Sequence, residues 1–562
     1  MKFLFVLCRN VNLKVFAVFV GILMLSPSLW PDKFETHDLA GTGFGFTNPI
    51  PNEYFAYQVC HGAIQTADID NDTWMDFVVL ADTSDIGLTE NVNVERGKTG
   101  DPNSFVYVGS DLVWYKNNSF GGFFPQRVTI EVLGIETPAT IFNGKRLEVA
   151  DLDKDGDQDI VVWCNYNNQS VEAQNLGAGR VAWFENRTIV NPGPTSELFI
   201  DGRPKFIQHD VVVMQETFTV DGTTFKTGNP RAGTLADMDN DTWIDLIVSN
   251  YSGTNSDNSS LFWFKNTGLG GALTFDRNSG NVVPIIVQGS LKPYKERNGI
   301  TVTATDINDD GNMDIVLGEN GSMGSDKELT LLMNRGGGVF EKFVVKSDFR
   351  VWQSLYVQDL FVSVPGNTCQ EIISGSRIFS PTWNSPPSVF YATDVACTTW
   401  MQEQLPNTAD FNHIWDIRVG DVNNDGLPDI LAFWANDSGN PATVTPSLRR
   451  SMCPIWINNG TAFPSDWTTV YLEERQEPPG METENNGGLA IGDFDKDGDL
   501  DVVRSHVETN LAYFENTWNT ERFYQIDATA DRFGTKQRVT SILSTNPNRT
   551  AGQLLGQKVE SK

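Results

Sequence analysis

The amino-acid sequence predicts an all-β fold, a seven-bladed β-propeller of four-stranded antiparallel blades. Three observations predict it. An acidic stretch of nine residues recurs six times with one internal spacing, and each copy runs directly into an apolar, largely β-branched segment. A second motif, rich in aromatic residues and mostly ending in Asn, follows each copy. No segment shows the strong 3.6-residue periodicity of an amphipathic helix.

The best-formed acidic copy is Asp151-Leu-Asp-Lys-Asp-Gly-Asp-Gln-Asp159, followed by Ile160-Val-Val-Trp163. Alternating carboxylates at positions 1, 3 and 5 (Asp151, Asp153, Asp155) can face one point. Gly156 permits a sharp bend because it has no Cβ. The carbonyl of Asp157 and the carboxylate of Asp159 complete an all-oxygen set at positions 7 and 9. Such a set suits Ca²⁺, which takes six to eight oxygen ligands at about 2.3–2.6 Å. The loop is not an EF-hand, which ends in a bidentate Glu at position 12 and enters a helix. Position 12 here is Val162, inside a strand-like run.

The other five copies start at 68, 237, 306, 421 and 493. Read at positions 1, 3, 5, 7 and 9, they offer Asp68, Asp70, Asp72, Trp74 and Asp76; Asp237, Asp239, Asp241, Trp243 and Asp245; and Asp306, Asn308, Asp310, Asn312 and Asp314. The last two offer Asp421, Asn423, Asp425, Leu427 and Asp429, and Asp493, Asp495, Asp497, Asp499 and Asp501. Position 7 contributes a backbone carbonyl in each. One such loop alone also reads as a solvated Asp-rich turn; six at one spacing, each feeding a strand, do not. Up to six Ca²⁺ ions are expected. Thr73 and Thr242 stand where the other four loops have Gly. A β-branched residue is strained in a left-handed conformation, so these two loops are expected either to bend differently or to bind more weakly. Asn308 and Asn423 keep an oxygen but lose a charge, so their loops are expected to bind less tightly than the loop at 151.

The second motif is clearest in Leu112-Val-Trp-Tyr-Lys-Asn117, Val181-Ala-Trp-Phe-Glu-Asn186 and Leu261-Phe-Trp-Phe-Lys-Asn266. Looser copies are Leu329-Thr-Leu-Leu-Met-Asn334, Pro454-Ile-Trp-Ile-Asn458 and Leu511-Ala-Tyr-Phe-Glu-Asn516. Aromatic and β-branched residues ending in Asn, often before Gly, read as a strand entering a turn. Each unit therefore supplies strand A before the acidic loop, B after it, C with the aromatic motif, and D after the turn. Strand B is apolar at consecutive positions, as a strand buried on both faces must be. Four-stranded units of this kind pack as propeller blades.

The gap between the loops at 306 and 421 is too long for one unit. Within it, Val357 to Gly375 reads as a seventh repeat whose loop has lost its ligands, with Ser388-Val-Phe-Tyr-Ala-Thr393 as its strand C. The stretch Asp32-Lys-Phe-Glu-Thr-His-Asp38 resembles a strand D with no unit before it. Either that stretch or Arg522-Phe-Tyr-Gln-Ile-Asp527 is expected to complete the last blade.

Lys2, Arg9 and Lys14 precede the apolar run Val15 to Leu25, with Ser26 and Ser28 beyond it. This predicts a secretory signal over residues 1–28, cleaved after Ser28 or kept as an anchor. The propeller is expected over 29–535 and a polar tail over 536–562. The formal charge of −31 argues against nucleic acid or an anionic membrane as a partner. The six loops hold 25 of the 72 acidic residues. The acidity is therefore chiefly local to the loops. Eleven Asn-x-Ser/Thr sequons occur, among them Asn117 and Asn186, and several are expected to carry glycans if the chain is secreted from a eukaryotic cell. Cys369 and Cys397 flank the degenerate repeat and are candidates to pair. The five histidines fall in no metal-ligand spacing and read as packed or surface residues.

The six acidic loops and the aromatic-Asn strands resemble the FG-GAP/VCBS repeat family, propellers related to the integrin α head. The resemblance spans roughly residues 33–530. It implies a secreted, Ca²⁺-binding propeller that acts in adhesion or recognition of a protein or glycan. Long B–C loops, on the face opposite the acidic loops, would carry the ligand. The alternative is a propeller enzyme acting on polysaccharide, as a lyase or hydrolase.

Overall fold

Asp159–Cys164 and Asp314–Glu319 are buried at every position, which requires cover on both faces of the strand. In the computed structural model these strands stand second in antiparallel sheets that form the seven blades of a propeller. The structure describes residues 34–38, 58–82, 110–117, 123–132, 135–141, 144–164, 179–188, 204–212, 217–220, 223–226, 230–250, 261–269, 274–276, 282–294, 299–319, 327–349, 351, 355–360, 369–375, 386–408, 414–435, 450–461, 466–476, 488–506, 509–516, 524–527 and 538–541. The proposed signal and the long B–C insertions lie outside them. No helix among the described residues is long and apolar enough to cross a membrane.

Blade 1 runs Gln58–Ala67, Asp76–Asp82, Ser110–Asn117, Phe123–Arg127 from strand A to strand D. Blade 2 repeats the order with Gly144–Ala150, Asp159–Cys164, Val181–Asn186 and Phe206–Val212. Blade 3 has Pro230–Ala236, Asp245–Asn250 and Leu261–Phe264, its outer strand reduced to isolated bridges at Phe275 and Val282. Blade 4 comprises Gly299–Thr305, Asp314–Glu319, Glu328–Asn334 and Phe340–Ser347. Blade 5, the degenerate repeat, keeps all four strands: Leu355–Gln358, Glu371–Ser374, Ser388–Ala392 and Trp400–Gln404. Blade 6 uses Ile414–Gly420, Asp429–Ala435, Arg450–Ile457 and Thr468–Gln476. Blade 7 takes Leu489–Gly492, Asp501–His506 and Thr509–Asn516 from the end of the chain and Phe34–Asp38 from its beginning.

That last pairing closes the ring, with Phe34 opposite Asn516 and Asp38 opposite Ala512. Of the two stretches able to complete blade 7, the N-terminal one does so. Tyr524–Asp527 instead pairs with Arg538–Ser541 in a separate hairpin, so residues 538–541, expected in a polar tail, form a strand. Extra hairpins fill three D–A connections. Thr129–Val132 with Ile135–Pro138 joins the outer edge of blade 2, and Pro284–Val287 with Ser290–Pro293 joins blade 4. Thr217–Val220 with Thr223–Lys226 stands as a two-stranded sheet of its own.

Apolar clusters fill the blade interfaces. One joins Trp163 and Trp183 of blade 2 to Leu246 and Phe262 of blade 3; another joins Trp415 and Phe433 of blade 6 to Val502 and Phe514 of blade 7. The residue at position 2 of every acidic loop (Ile69, Leu152, Met238, Ile307, Val422, Phe494) is buried in such an interface.

The same residue carries a polar link between blades. The closing aspartate of each loop is fully buried. Its Oδ2 accepts the position-2 amide of its own loop, as from Leu152 to Asp159 at 3.0 Å and Phe494 to Asp501 at 3.1 Å. Its Oδ1 accepts the amide of the strand-C Asn, at 2.7 Å in both Asn186–Asp159 and Asn516–Asp501. The Asn side chain, so held, donates from Nδ2 to the position-2 carbonyl of the preceding blade. The bonds are Asn117 to Phe494 (2.6 Å), Asn186 to Ile69 (2.8 Å), Asn266 to Leu152 (2.8 Å), Asn334 to Met238 (2.9 Å), Asn458 to Leu360 (2.9 Å) and Asn516 to Val422 (2.8 Å). Only the step from blade 4 to blade 5 differs. There the Gln370 amide donates to the Ile307 carbonyl at 2.9 Å. Seven bonds therefore run once around the ring.

A buried carbonyl that loses its donor costs roughly 1–3 kcal/mol. Asn266→Ala removes the donor to both Leu152 and Ile244 and is expected to destabilise by about that amount in urea denaturation. Leu269→Ser, at an exposed position three residues beyond Asn266, is expected to stay within about 0.5 kcal/mol of the native chain.

Candidate metal centres

Each acidic loop is built by its first aspartate. That carboxylate accepts the amide at position 6: Thr73 to Asp68 at 2.7 Å, Gly156 to Asp151 at 3.1 Å, Thr242 to Asp237, Gly311 to Asp306 and Gly426 to Asp421 at 2.7 Å, and Gly498 to Asp493 at 3.2 Å. The position-5 carboxylate in turn accepts the position-7 amide, as from Trp74 to Asp72 at 2.9 Å and from Asp499 to Asp497 at 3.1 Å. The chain bends through two left-handed residues. Position 4 has φ between 57° and 62° in all six loops. Position 6 has φ 85°–101° where it is Gly, and 75° and 76° at Thr73 and Thr242. The threonine loops thus bend in the same sense as the glycine loops, at a strain of roughly 1–3 kcal/mol each.

Among the described residues, four groups of three carboxylates bring oxygens within 4.8 Å of one another. They are Asp151, Asp153 and Asp155; Asp493, Asp495 and Asp497; Asp68, Asp70 and Asp76; and Asp237, Asp239 and Asp245. Any of these could hold a metal ion. Asp159 and Asp501 stand outside the converging trios of their own loops, whereas Asp76 and Asp245 belong to theirs. The loops at 306 and 421 form no such trio. There the amides of Asn308 and Asn423 turn towards Asp310 and Asp425, at 3.0 and 2.9 Å. In blade 7, Asp493 Oδ1 and Asp497 Oδ2 are buried and have no hydrogen-bond partner.

Burial pushes several of the loop carboxylates upward. It holds Asp153 and Asp495 up to about 6, with the neighbouring position-5 carboxylate adding to it. Asp76, Asp245 and Asp314 stand at about 7, and Asp429 and Asp501 at about 8, because burial outweighs the amide bonds that favour their charged forms.

The residue before the strand-C Asn faces the loop and differs among blades. Lys116 of blade 1 bonds Asp70 and lies 2.7 Å from Asp72. Lys265 of blade 3 bonds Asp239 and lies 2.9 Å from Asp241. Blades 2 and 7 carry Glu185 and Glu515 there, and blades 4 and 6 carry Met333 and Ile457. Loops also touch across blades. Lys154, at position 4 of blade 2, bonds Thr242 Oγ1 at 2.6 Å and lies 4.1 Å from the centre of the Trp243 ring. Lys496 of blade 7 does the same to Thr73 and Trp74, at 2.8 and 4.1 Å. Each tryptophan at position 7 thus carries a lysine of the preceding blade over its ring.

Blade 5 has the arrangement without the acidic cluster. Gln358 pairs with Glu371 in the register that closes the other loops, and Glu371 accepts the Leu360 amide at 2.8 Å. Cys369 and Cys397 form a disulfide beside it. Cys164 and Cys453 are buried free thiols. The sequons at Asn117 and Asn186 are not available to glycans, since both side chains are buried in the inter-blade bonds. His209 packs on Trp183 and bonds Glu185 at 2.6 Å, with Arg187 on the other oxygen at 2.5 Å.

No family model matches this chain, and no curated protein does. Among solved structures, one titled "Crystal structure of BBS1N in complex with ARL6DN, soaked with lead" is similar over 82% of this chain and 94% of that one. Identity is 9% and the TM-score 0.37. The fold and the loops together define a β-propeller with candidate metal centres between strands A and B.

The raised carboxylates predict an unusual pH dependence for the ion-depleted chain. An aspartate at about 8 in the fold, such as Asp501, binds a proton that the unfolded chain releases near 4. That stability is complete below the unfolded value and is lost as pH rises through about 7 to 8. Without divalent ions, the melting temperature is expected to be several degrees lower at pH 8.5 than at pH 5.5 in calorimetry.

Proposed function

We propose that the chain is a secreted, calcium-binding β-propeller that serves as a binding module for a protein or glycan, using the face opposite its acidic loops. The carrying observation is the pair of buried, unpartnered oxygens Asp493 Oδ1 and Asp497 Oδ2 within a converging carboxylate trio. Buried like charges without donors call for a cation. The donors are oxygens throughout, which suits a hard ion rather than one preferring nitrogen or sulfur. In blades 2 and 7 the residues that would hold it are the carboxylates at positions 1, 3 and 5, which converge, with the position-7 carbonyl beside them, while the closing aspartate at position 9 stands outside the trio; an ion there would pin the A–B hairpin against like-charge repulsion.

Secretion is supported by the N-terminal basic-then-apolar stretch and by the disulfide Cys369–Cys397. The ligand face is argued from topology: A–B and C–D turns share one end of the blades, and B–C and D–A connections share the other. Variable loops on a rigid scaffold are where recognition usually resides.

Calcium is expected to raise the melting temperature and EGTA to lower it. A site at a hundredfold excess over its dissociation constant contributes about 2.7 kcal/mol. No shift, together with no calcium in metal analysis, would remove the reading. On a glycan array, retention without cleavage supports a lectin-type module, and release of shortened chains would indicate an enzyme instead.

A further inference from the structure

Three departures from the common loop occur together, and only in blades 1 and 3. Position 6 is Thr, position 7 is Trp, and the residue before the strand-C Asn is Lys. Each lysine reaches the carboxylates at positions 3 and 5 of its own loop: Lys116 those of Asp70 and Asp72, Lys265 those of Asp239 and Asp241. Positions 3 and 5 are among those that converge with position 1 in blades 2 and 7. There the same strand-C place holds a glutamate, which brings no ammonium to the loop, and Glu185 pairs instead with Arg187 and His209.

A second ammonium approaches each lysine-bearing loop from the blade before it. Lys496 caps Thr73 and Trp74, and Lys154 caps Thr242 and Trp243. A divalent ion entering either loop would face two fixed positive charges. Asp70 Oδ1 and Asp239 Oδ1 have no hydrogen-bond partner, but each belongs to a carboxylate already paired with an ammonium through Oδ2.

We propose that blades 1 and 3 are closed without a divalent ion: the ammoniums of Lys116 and Lys265 take the cation's place in their own loops, and ion binding is confined to acidic loops with no lysine before the strand-C Asn, above all the trios of blades 2 and 7. The confinement rests on the calcium reading above; the lysine closure does not. Blade pairs 7–1 and 2–3 then work as units. In each, an ion-binding loop lends its position-4 lysine to a neighbour that needs no ion.

The test is hydrogen–deuterium exchange on the full chain, with and without EGTA, alongside equilibrium dialysis with calcium. Chelation is expected to speed exchange about tenfold or more in 151–159 and 493–501, and to leave 68–76 and 237–245 nearly unchanged. Dialysis is expected to saturate at no more than four ions. Lys116→Met, the residue blade 4 uses at this place, should loosen 68–76 and let calcium restore it, raising the count by one. Lys265→Met is expected to do the same at 237–245. Loss of protection at 68–76 and 237–245 on chelation of the native chain, or six bound ions, would overturn the proposal. If no loop responds to EGTA and no ion binds, the calcium reading fails. In that case, local loosening by Lys116→Met upholds the lysine closure, and unchanged exchange there overturns it.

Discussion

The ring depends on one buried contact, repeated: an aspartate at the start of strand B that grips the strand-C asparagine and the loop's own position-2 amide. A carboxylate in an apolar setting is costly unless its oxygens find donors. Here two backbone amides supply them, and an aromatic donor joins in blades 1, 3 and 7 through Trp114, Trp263 and Tyr513, at 3.0, 2.9 and 2.9 Å. The grip orients the asparagine amide towards the next blade. Blade-to-blade cohesion and loop conformation thus come from the same few atoms.

That arrangement creates a charge problem, because the loop places further carboxylates directly above the buried one. The chain answers it in different ways. Blades 2 and 7 concentrate carboxylates around a common point, as a cation would require. Blades 4 and 6 dilute the charge with asparagines that donate to their neighbours. Blades 1 and 3 bring in a lysine. Blade 5 drops the acidic cluster, keeps Glu371 for the buried grip, and ties the region with a disulfide. Each form of the loop thus has its own local chemistry.

The acidic loops and the double-sided strands were readable because both are periodic in sequence and formed by neighbours along the chain. Blade 5 was readable from spacing alone, even though Glu371 stands where the other units have Asp. The loops carry a further signal besides their ligand positions. Position 2 is apolar in every loop, from Ile69 to Phe494, because that side chain fills the blade interface. The asparagine ending strand C looked like a turn residue; its second role emerges only across blades. Asn117 and Asn186 likewise matched a glycan acceptor pattern that says nothing of burial.

By itself, then, the sequence determined the blade as a unit, the number of blades and the place of the acidic loops, since short-range patterning dictates strands and turns. It left open which end of the chain closes blade 7, since Phe34–Asp38 and Tyr524–Asp527 are alike in character and only pairing with Thr509–Asn516 separates them. It also left open which loops meet a lysine. That contact joins residues 46 apart in blade 1 and 26 apart in blade 3, and it exists only once strands B and C lie side by side.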